Sequence, residues 1–379
     1  MDYVQLGNTG YRVSRLGLGA MRLPMIEIGD TSYVDIERAT EVIHRALELG
    51  INYIDTGFLY CNEEAELVVA SALEQWPERD KVVVTAKCTK LRLGNDMEQK
   101  GYLRRMLEHQ LWKLRRDYFD FYLFHGIGWD NWHDIDRRTG WIKDMLQAKD
   151  EGLVKHIGFS FHDTPENMIR LIDEGIFELV TCQYNYLDRA NEEAIHYAHE
   201  KGLGVVIMGP VGGGRLSVFP KGIRDLKNLS ASGAAELALR FVISHPGVHV
   251  ALSGMSTVEM VEENCQAISK GPLSEEERRT ITAMMEQNKK LADLYCTGCQ
   301  YCMPCPNNVN IPRAFELYNY YKVYGLEEYA ITQYKELIKR GNDASQCVEC
   351  GVCLERCPQH IDIPRQLKEV AALFSQVEE

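Results

Sequence analysis

The stretch "INYIDTGFLYCNEEAELVVASALEQW", residues 51–76, shows the alternation on which the fold prediction depends. Its first five residues, with Ile51, Tyr53 and Ile54, are rich in the β-branched and aromatic types that strands favour. In "EEAELVVASALEQW", residues 63–76, apolar residues recur at intervals of three and four, which indicates an amphipathic helix. The stretch therefore predicts one strand followed by one helix.

The same alternation runs along most of the chain, after a predicted β-hairpin in "YVQLGNTGYRVSRL", residues 3–16. A doubly wound sheet rarely supplies eight such units, whereas a (β/α)₈ barrel requires them. We therefore predict the α/β class and a TIM barrel with an N-terminal hairpin over residues 1–272. The eight predicted strands are "RLGLGA" (15–20), "INYID" (51–55), "KVVVTAK" (81–87), "DFYLFH" (120–125), "VKHIGFS" (154–160), "FELVTCQ" (177–183), "LGVVIMG" (203–209) and "VHVALSG" (248–254).

A linking helix is predicted over residues 273–294, where Ser274 and Glu277 have the spacing of a capping box. It leads into a small, mostly helical domain over residues 295–379. This domain repeats itself: "CPNNVNIPRAFEL" (305–317) and "CPQHIDIPRQLKEV" (357–370) share a Cys-Pro start and an Ile-Pro-Arg step. Because proline suits the first turn of a helix, each copy predicts a loop followed by a helix.

Eight of the twelve cysteines lie in "CTGCQYCMPCP" (296–306) and "CVECGVCLERCP" (347–358). The second run matches the C-x₂-C-x₂-C-x₃-C-P pattern of two-cluster ferredoxins, in which the fourth cysteine ligates the other cluster. The tail thus resembles a ferredoxin-type domain of the α-helical kind. Zinc is the alternative, but Cys₄ zinc sites do not require such triplets. We predict one [4Fe-4S] cluster on Cys296, Cys299, Cys302 and Cys357, and a second on Cys347, Cys350, Cys353 and Cys305.

The charge, the apolar runs and the cysteine spacing limit the kinds of partner and the cellular compartment that we expect. The net charge of −13 argues against nucleic acid and anionic membranes as general partners. No segment reaches about 18 unbroken apolar residues, and the N-terminus lacks the pattern of a signal peptide. We expect a cytoplasmic protein whose clustered cysteines bind metal rather than form disulfides. The scattered Cys61, Cys88, Cys182 and Cys265 are expected in the core, although Cys61 and Cys88 adjoin candidate catalytic residues.

Polar residues follow three successive predicted strands, and the carboxyl ends of barrel strands form the active-site mouth. They are Asp55, Tyr60, Lys87 and His125. Hydride addition to a carbonyl leaves an alkoxide that must be protonated, and Tyr60 could donate that proton. We expect Lys87 to lower the pKa of Tyr60, Asp55 to hold Lys87 charged, and His125 to orient the substrate oxygen.

These residues and their neighbours resemble the aldo-keto reductase superfamily from about residue 3 to residue 270. The resemblance rests on "DTGFLY", "TAK", "FHG", "GFS", "QYNY" and "SGMSTVEMVEEN", and with the tail it points to the branch that carries a 4Fe-4S ferredoxin-type domain. It implies the catalytic tetrad Asp55, Tyr60, Lys87 and His125, with Tyr60 as proton donor. It also implies an NAD(P)-dependent oxidoreductase that interconverts a small aldehyde, ketone or sugar and its alcohol.

The resemblance further implies an extended NAD(P) across the top of the barrel. Ser160 and Gln183 match the positions that hold the nicotinamide amide, and "GPVGGGRL", residues 209–216, matches the pyrophosphate loop. The expected cofactor contacts are Ala20, Met21, Asp55, Ser160, Gln183, Met208, Gly209, Pro210, Gly212, Gly214, Arg215, Gly254, Met255, Glu263 and Asn264.

Three departures from the family pattern bear on the cofactor. Met208 replaces an aromatic residue under the nicotinamide, and Phe161-His162 replaces an amide-binding asparagine. Gly254 and Met260 stand where NADPH-specific members have Lys and Arg, so two cations for a 2′-phosphate are missing. We therefore expect NADH to bind at least as well as NADPH.

The substrate and the use of the clusters are open at this point. Trp129, Trp132 and His133, in the segment after strand four, are candidates for the substrate pocket, or for packing. A nicotinamide gives up two electrons as hydride, whereas a [4Fe-4S] cluster takes one, and no flavin motif is evident. The alternatives to a reductase are an electron-transfer subunit with a protein redox partner, and a redox-sensing barrel without enzyme activity.

Overall fold

The computed structural model describes residues 1–29, 31–90, 100–219, 230–287, 296, 298, 300–322 and 327–375. These described residues fall into two compact units. The first comprises Met1–Tyr184, Arg189–Pro210 and Leu239–Pro272; the second comprises Asn185–Asp188, Val211–Ala238 and Leu273–Glu379. The domain boundaries at 272 and 294 stay predictions.

The first unit contains a closed parallel barrel, to which each of the eight predicted strands contributes within the described ranges. Its strands follow one another around the barrel in chain order, so neighbouring strand ends share one rim. The prediction of a TIM barrel is confirmed, with strand limits shifted by up to two residues. The barrel strands are β3 (Leu16–Gly19), β6 (Tyr53–Asp55), β7 (Val83–Thr89), β8 (Phe119–Ile127), β9 (Val154–Phe161), β10 (Leu179–Gln183), β11 (Gly204–Met208) and β12 (Val250–Ser253).

Helices follow the barrel strands in the pattern that the apolar periodicity predicts. In α1, Ala39, Val42, Ile43 and Ala46 are buried, and Asp35 caps the helix by accepting a bond from the Arg38 amide at 3.1 Å. The helices up to residue 269 are α1 (Ile36–Glu48), α2 (Ala65–Glu74), α3 (Tyr102–Leu114), α4 (Trp129–Thr139), α5 (Trp141–Asp150), α6 (Pro165–Asp173), α7 (Glu192–Glu200), α8 (Ala234–Ile243) and α9 (Val258–Ser269).

Two antiparallel hairpins accompany the barrel within the described residues. The predicted hairpin, β1 (Tyr3–Gln5) with β2 (Arg12–Ser14), places Leu6 and Val13 in a cluster with barrel residues such as Phe121. Gly204 makes this packing possible, since a Cβ there would lie 2.9 Å from a Leu6 methyl group. The second hairpin, β4 (Met25–Ile28) with β5 (Thr31–Val34), was not predicted.

The cysteine-rich part of the second unit is helical, as predicted. Its helices are α10 (Glu275–Gln287), α11 (Ile311–Lys322), α12 (Glu327–Lys339) and α13 (Ile363–Ser375). The Ser274 hydroxyl and amide bond the Glu277 carboxylate, and the Glu277 amide donates to the Ser274 hydroxyl at 3.2 Å, so the capping box forms. Residues 288–294 of the predicted linking helix lie outside the described residues.

The apolar core of this part joins the two copies of the repeat. Val309, Ile311 and Phe315 from the first copy pack in one buried cluster with Ile363 and Leu367 from the second. Cys302 and Cys353 belong to the same cluster. The repeat therefore builds one core with a cysteine motif from each copy. Within the described part of the chain, no helix is long and apolar enough to cross a membrane.

Candidate active site and cluster-binding cysteines

Three adjacent barrel strands bring the predicted tetrad together. Asp55 ends β6, Lys87 lies in β7 and His125 lies in β8, while Tyr60 follows β6 by five residues. The polar groups are removed from solvent, with relative exposures of 2% for Asp55, 9% for Tyr60, 1% for Lys87 and 7% for His125. Burying a polar group costs free energy unless the group is hydrogen-bonded, so we expect hydrogen bonds among these four side chains and their neighbours.

The Lys87 ammonium is the centre of the group. Its Nζ donates to a carboxylate oxygen of Asp55, to the Thr56 carbonyl at 2.8 Å and to the Tyr60 hydroxyl oxygen at 3.0 Å. The Tyr60 oxygen accepts this bond, because an ammonium has no lone pair to offer. The phenolic hydrogen of Tyr60 can therefore point to an acceptor other than Lys87. The His125 ring meets the Tyr60 ring edge-on, with ring centroids 6.0 Å apart.

Burial sets the protonation of this site. Burial raises the pKa of Tyr60 well above its usual value, and the charge of Asp55 adds to this. Burial also raises the pKa of Asp55, against the effect of Lys87. Burial, followed by the charge of Lys87, lowers the pKa of His125 well below its usual value. Tyr60 and His125 are thus both neutral near pH 7. A lowering effect of Lys87 on the Tyr60 pKa stays a prediction.

Several predicted cofactor positions lie at consecutive strand ends of the barrel. Ser160 lies near the end of β9, Gln183 ends β10 and Met208 ends β11, where it pairs with Gln183. The Ser160 hydroxyl accepts a bond from the Gly126 amide at 2.8 Å. Gly209 follows at once, and a side chain there would clash with the Gln183 amide. Pro210 continues from this glycine.

The remaining positions of the first unit flank β3 and β12. Ala20 and Met21 follow β3, and their carbonyls accept from the Cys61 thiol at 3.4 and 3.6 Å. Gly254 and Met255 follow β12, and Asn264 of α9 donates to the Ser253 hydroxyl at 3.2 Å. Glu263 precedes Asn264 on α9.

One cation lies close to the predicted adenosine end. The Arg22 stem occupies the space beside Gly254, since a Cβ at 254 would lie 2.9 Å from the Arg22 Cδ. Glycine at 254 therefore makes room for Arg22. Position in the sequence alone did not point to this contact, because the two residues are more than 230 apart.

The residues on this rim fit NAD(P). Within the described part of the molecule, the second carboxylate oxygen of Asp55 and the Thr56 hydroxyl are buried without a hydrogen-bond partner. Buried polar atoms in native proteins nearly always have partners, so these two leave hydrogen-bonding capacity beside the tetrad for a bound polar group. At Gly209 the absence of a side chain lets the backbone lie close to the Gln183 amide, which a Cβ would prevent.

The predicted phosphate-binding glycines belong to the second unit. Gly212 and Gly214 have φ values of 57° and 96°, in the left-handed region that glycine adopts at little cost. The side chain of Arg215 lies outside the described part of the molecule.

A strained turn next to Tyr60 was missed. Cys61, Asn62 and Glu63 have φ values of 50°, 55° and 71°, which non-glycine residues seldom adopt in succession. The unpredicted hairpin holds this turn, because the Asn62 amide donates to the Ser32 carbonyl at 2.8 Å and the Val34 amide donates to Glu64 at 2.7 Å. The preference of asparagine for left-handed conformations was the available signal.

A second group that was missed lies behind Lys87. Gln110 of α3 is fully buried and donates to the Lys87 carbonyl at 3.2 Å. The Tyr122 hydroxyl donates to the Gln110 side chain at 2.6 Å, and the Lys113 ammonium pairs with the buried Glu66 at 2.9 Å. These contacts fix the β7 backbone that presents Lys87.

The segment after β8 differs from expectation. It forms α4, and Trp132 is fully buried against Phe124, with ring centroids 4.9 Å apart, and against Trp141. Of the two alternatives for Trp132, substrate pocket or packing, the structure supports packing. Trp129 stacks under the Arg170 guanidinium at 5.2 Å, and His133 lies 3.2 Å from the Glu174 carboxylate. Their role in substrate binding stays a prediction.

The scattered cysteines are core residues, apart from the half-buried Cys61. Burial raises the pKa of Cys88 to about 12 and that of Cys265 to about 11. Cys182 is fully buried in β10. Thiols with such pKa values are poor nucleophiles at neutral pH.

In the second unit, cysteines from both motifs come together. Burial raises the pKa of Cys353, and the charges of Cys347, Cys305 and Cys350 raise it further. Cys305 comes from the first motif, so the residues that act on Cys353 come from both motifs. The assignment of these four cysteines to one cluster stays a prediction. Cys350 is exposed to solvent and Cys353 is buried.

The other predicted group lines one small cavity. Cys296, Cys302 and Cys357 face it together with apolar residues that include Ile311 and Phe315. Cys299 lies outside the described residues. The described residues include no group of three or more Cys, His, Asp or Glu placed to hold a single metal ion. A cubane has four irons at separate corners, and thiolate sulfur is the donor that iron–sulfur clusters require. The two cysteine groups fit that chemistry.

Family models match two successive parts of the chain. The model of the aldo/keto reductase family matches residues 15–286, and that of the 4Fe-4S dicluster domain matches residues 295–361. An uncharacterized oxidoreductase of Bacillus subtilis, YqkF, is 25% identical over 75% of this chain and 96% of its own length. L-galactose dehydrogenase of Arabidopsis thaliana is 27% identical over 76% of this chain and 95% of its own length.

Solved structures agree with the sequence relatives. The holo form of aldo-keto reductase AKR11C1 from Bacillus halodurans is 29% identical, with a TM-score of 0.64 over 75% of this chain and 96% of that one. The thermostable aldo-keto reductase Tm1743, solved with the inhibitor epalrestat, is 26% identical, with a TM-score of 0.60 over 75% of this chain and all of that one. The chain therefore belongs to the aldo/keto reductase family, and it carries a 4Fe-4S dicluster domain after its barrel.

Proposed function

We propose that this oxidoreductase interconverts a small carbonyl compound and its alcohol with NAD(P)H, and that its tail holds two [4Fe-4S] clusters. The observation that carries the catalytic half is the 3.0 Å hydrogen bond from the Lys87 ammonium to the Tyr60 hydroxyl oxygen in a buried site. The cluster half is supported by the two mixed cysteine groups and by the dicluster-domain match.

In this proposal each tetrad residue has a separate task. Bound NAD(P)H supplies a hydride to the carbonyl carbon. Tyr60 gives its phenolic proton to the carbonyl oxygen, and Lys87 stabilises the phenolate that remains. Asp55 keeps Lys87 charged and in place. His125, which is neutral because it is buried, donates a hydrogen bond to the same oxygen and fixes the approach of the substrate.

The proposed cofactor site uses the rim residues described above. Asp55 would accept a bond from a nucleotide hydroxyl, Ser160 and Gln183 would hold the nicotinamide amide, and Met208 would contact the nicotinamide. Backbone groups near Ala20, Met21, Gly209 and Pro210 line the path of the cofactor. Gly212, Gly214 and Arg215 are proposed for the phosphates, and Gly254, Met255, Glu263 and Asn264 for the adenosine end.

Anaerobic turnover of the iron-loaded protein tests the proposal. NADH oxidation would be followed with aldehydes, keto acids and aldose sugars, and the sugars are included because one relative is named L-galactose dehydrogenase. Reduction of at least one class to its alcohol supports the proposal. Tight NADH binding without turnover of any class would favour the redox-sensing barrel instead.

The cofactor preference is a separate prediction. Gly254 and the half-exposed Met260 offer no cation to a 2′-phosphate, so we expect NADH to bind at least as tightly as NADPH, with Arg22 the nearest cation beside Gly254. Met260→Arg should tighten NADPH binding by about tenfold, because a hydrogen bond to a charged group contributes roughly 1.5–3 kcal/mol. Quenching of protein fluorescence would give both Kd values. Parental protein that binds NADPH tenfold tighter than NADH would refute the preference.

The clusters are proposed to stay outside the hydride step. A cluster transfers single electrons, so Cys350→Ala, which removes one ligand, should leave kcat with NADH and a carbonyl within about twofold of the parental value. The exposed Cys350 favours the second candidate, an electron-transfer subunit that meets a protein redox partner. Loss of NADH turnover in proportion to the loss of iron would support that second candidate.

A further inference from the structure

An asparagine side chain contacts one of the cluster-binding sulfurs. The Asn307 Nδ2 donates to the Cys350 Sγ at 3.6 Å, which is within hydrogen-bond range for sulfur. Asn307 follows Cys305-Pro306 in the first motif, whereas Cys350 lies in the middle of the second motif. The two residues are 43 apart in sequence; Asn307 is half-buried and Cys350 is exposed. The contact therefore links the first motif to the cysteine group of the second motif, the group to which Cys305 also belongs.

The repeat places a second amide in the corresponding position. Aligning Cys305-Pro306 with Cys357-Pro358 sets Asn307 against Gln359. Gln359 lines the cavity that Cys296, Cys302 and Cys357 share. Each Cys-Pro step is thus followed by an amide-bearing residue that lies beside cysteines of the other motif. This regularity argues that the Asn307 contact is built into the repeat.

A donor at a ligating sulfur has a defined electrostatic effect. Reduction adds one electron to a cluster, and part of the added negative charge resides on the cysteine sulfurs. An N–H group that points at such a sulfur stabilises the reduced form more than the oxidised form. The reduction potential of a cluster therefore rises with hydrogen bonds to its sulfurs.

We propose that Asn307 raises the reduction potential of the cluster held by Cys305, Cys347, Cys350 and Cys353, and that Gln359 has the same task at the other cluster. This rests on the proposed presence of two [4Fe-4S] clusters. Asn307 is a positioning and tuning residue in this proposal, because it acts through the Cys350 sulfur and is not itself a ligand.

Redox titration of the anaerobic, iron-loaded protein, followed by EPR, tests the proposal. Asn307→Leu keeps the side-chain size and removes the donor, so it should shift one of the two midpoint potentials to a more negative value and leave the other in place. Gln359→Leu should shift the other potential. Asn308→Gly is the matched control: it removes the bond from Asn308 to the Gly341 carbonyl, touches no described sulfur contact and suits the left-handed backbone at 308. It should move neither potential.

Iron content distinguishes a failure of the cluster proposal from a failure of the role proposed for Asn307. Parental protein without about eight irons and without a cluster signal would defeat the cluster proposal itself. Full iron in Asn307→Leu with both potentials unmoved, or with both moved equally, would overturn the role of Asn307. If Asn307→Leu loses iron, two further variants decide the matter. Asn307→Ser keeps a short hydrogen-bond donor, whereas Asn307→Asp replaces the amide donor by a carboxylate. A potential of Asn307→Ser close to the parental value supports the proposal, and one shifted as far as that of Asn307→Asp overturns it.

Discussion

Replacing Tyr60 by phenylalanine is expected to lower kcat for carbonyl reduction by about 10²–10⁴-fold, the usual contribution of a positioned general acid. The phenylalanine ring can keep the Tyr60 packing but has no proton to give, while the Lys87 ammonium that bonds the Tyr60 oxygen loses that acceptor. Because burial and Asp55 raise the pKa of Tyr60, the phenol is fully protonated near pH 7 in the parental protein. The loss should therefore be as large at pH 6 as at pH 8.

Cofactor binding and a control tyrosine make this result specific. The Kd for NADH should change little, since the proposed task of Tyr60 is proton donation to the substrate. Tyr197→Phe removes a phenolic hydroxyl that bonds the exposed Asp173 at 2.6 Å, away from the tetrad, and should keep the parental kcat. A Tyr60→Phe enzyme with unchanged kcat would remove the tetrad assignment, whatever the substrate.

If each motif supplies one ligand to the other motif's cluster, the number of clusters lost in a double cysteine variant depends on which two cysteines are replaced. Cys302→Ala with Cys357→Ala removes two ligands from a single predicted cluster, although the two cysteines belong to different motifs. The other cluster keeps all its ligands, so this variant should retain about four of about eight irons and one intact [4Fe-4S] signal. Cys353→Ala with Cys357→Ala removes two ligands from one motif but one from each cluster, and should leave neither cluster complete.

Iron analysis and EPR of the anaerobically purified proteins distinguish the two arrangements. The grouping of Cys353 with Cys305, Cys347 and Cys350, and of Cys302 with Cys296 and Cys357, supports the exchange. The opposite result, an intact cluster in the Cys353/Cys357 pair and none in the Cys302/Cys357 pair, would show that each motif holds its own cluster.

Much of the fold could be predicted because barrel strands and helices leave local patterns. Buried parallel strands are short apolar runs, and the helices between them repeat at three and four residues. Strand order then follows from right-handed crossovers, which places Asp55, Lys87 and His125 on one rim without further information. The hairpin over residues 25–34 escaped because its exposed strands, including Ile28 at 61% exposure, do not have the buried pattern.

The electrostatics of the candidate site could not be predicted in the same way. Sequence identified Tyr60 and Lys87 as neighbours and suggested a lowered pKa for the phenol. Only the folded chain reveals how fully Tyr60 is buried and how close the Asp55 charge lies, and these two effects raise the pKa of Tyr60. The role of Trp132 was left open for the same reason, since its burial against Phe124 depends on how α4 folds onto the barrel.

The sequence by itself determined the barrel, the family, the tetrad candidates and the two cysteine motifs, because each depends on residue type and spacing along the chain. Tertiary structure decided the neutral state of Tyr60 and His125, the hairpin that holds the turn after Tyr60, and the bond from Asn307 to Cys350. These features depend on burial and on contacts between distant residues. Local spacing contains neither, because desolvation and hydrogen bonding are settled by whichever parts of the chain folding brings together.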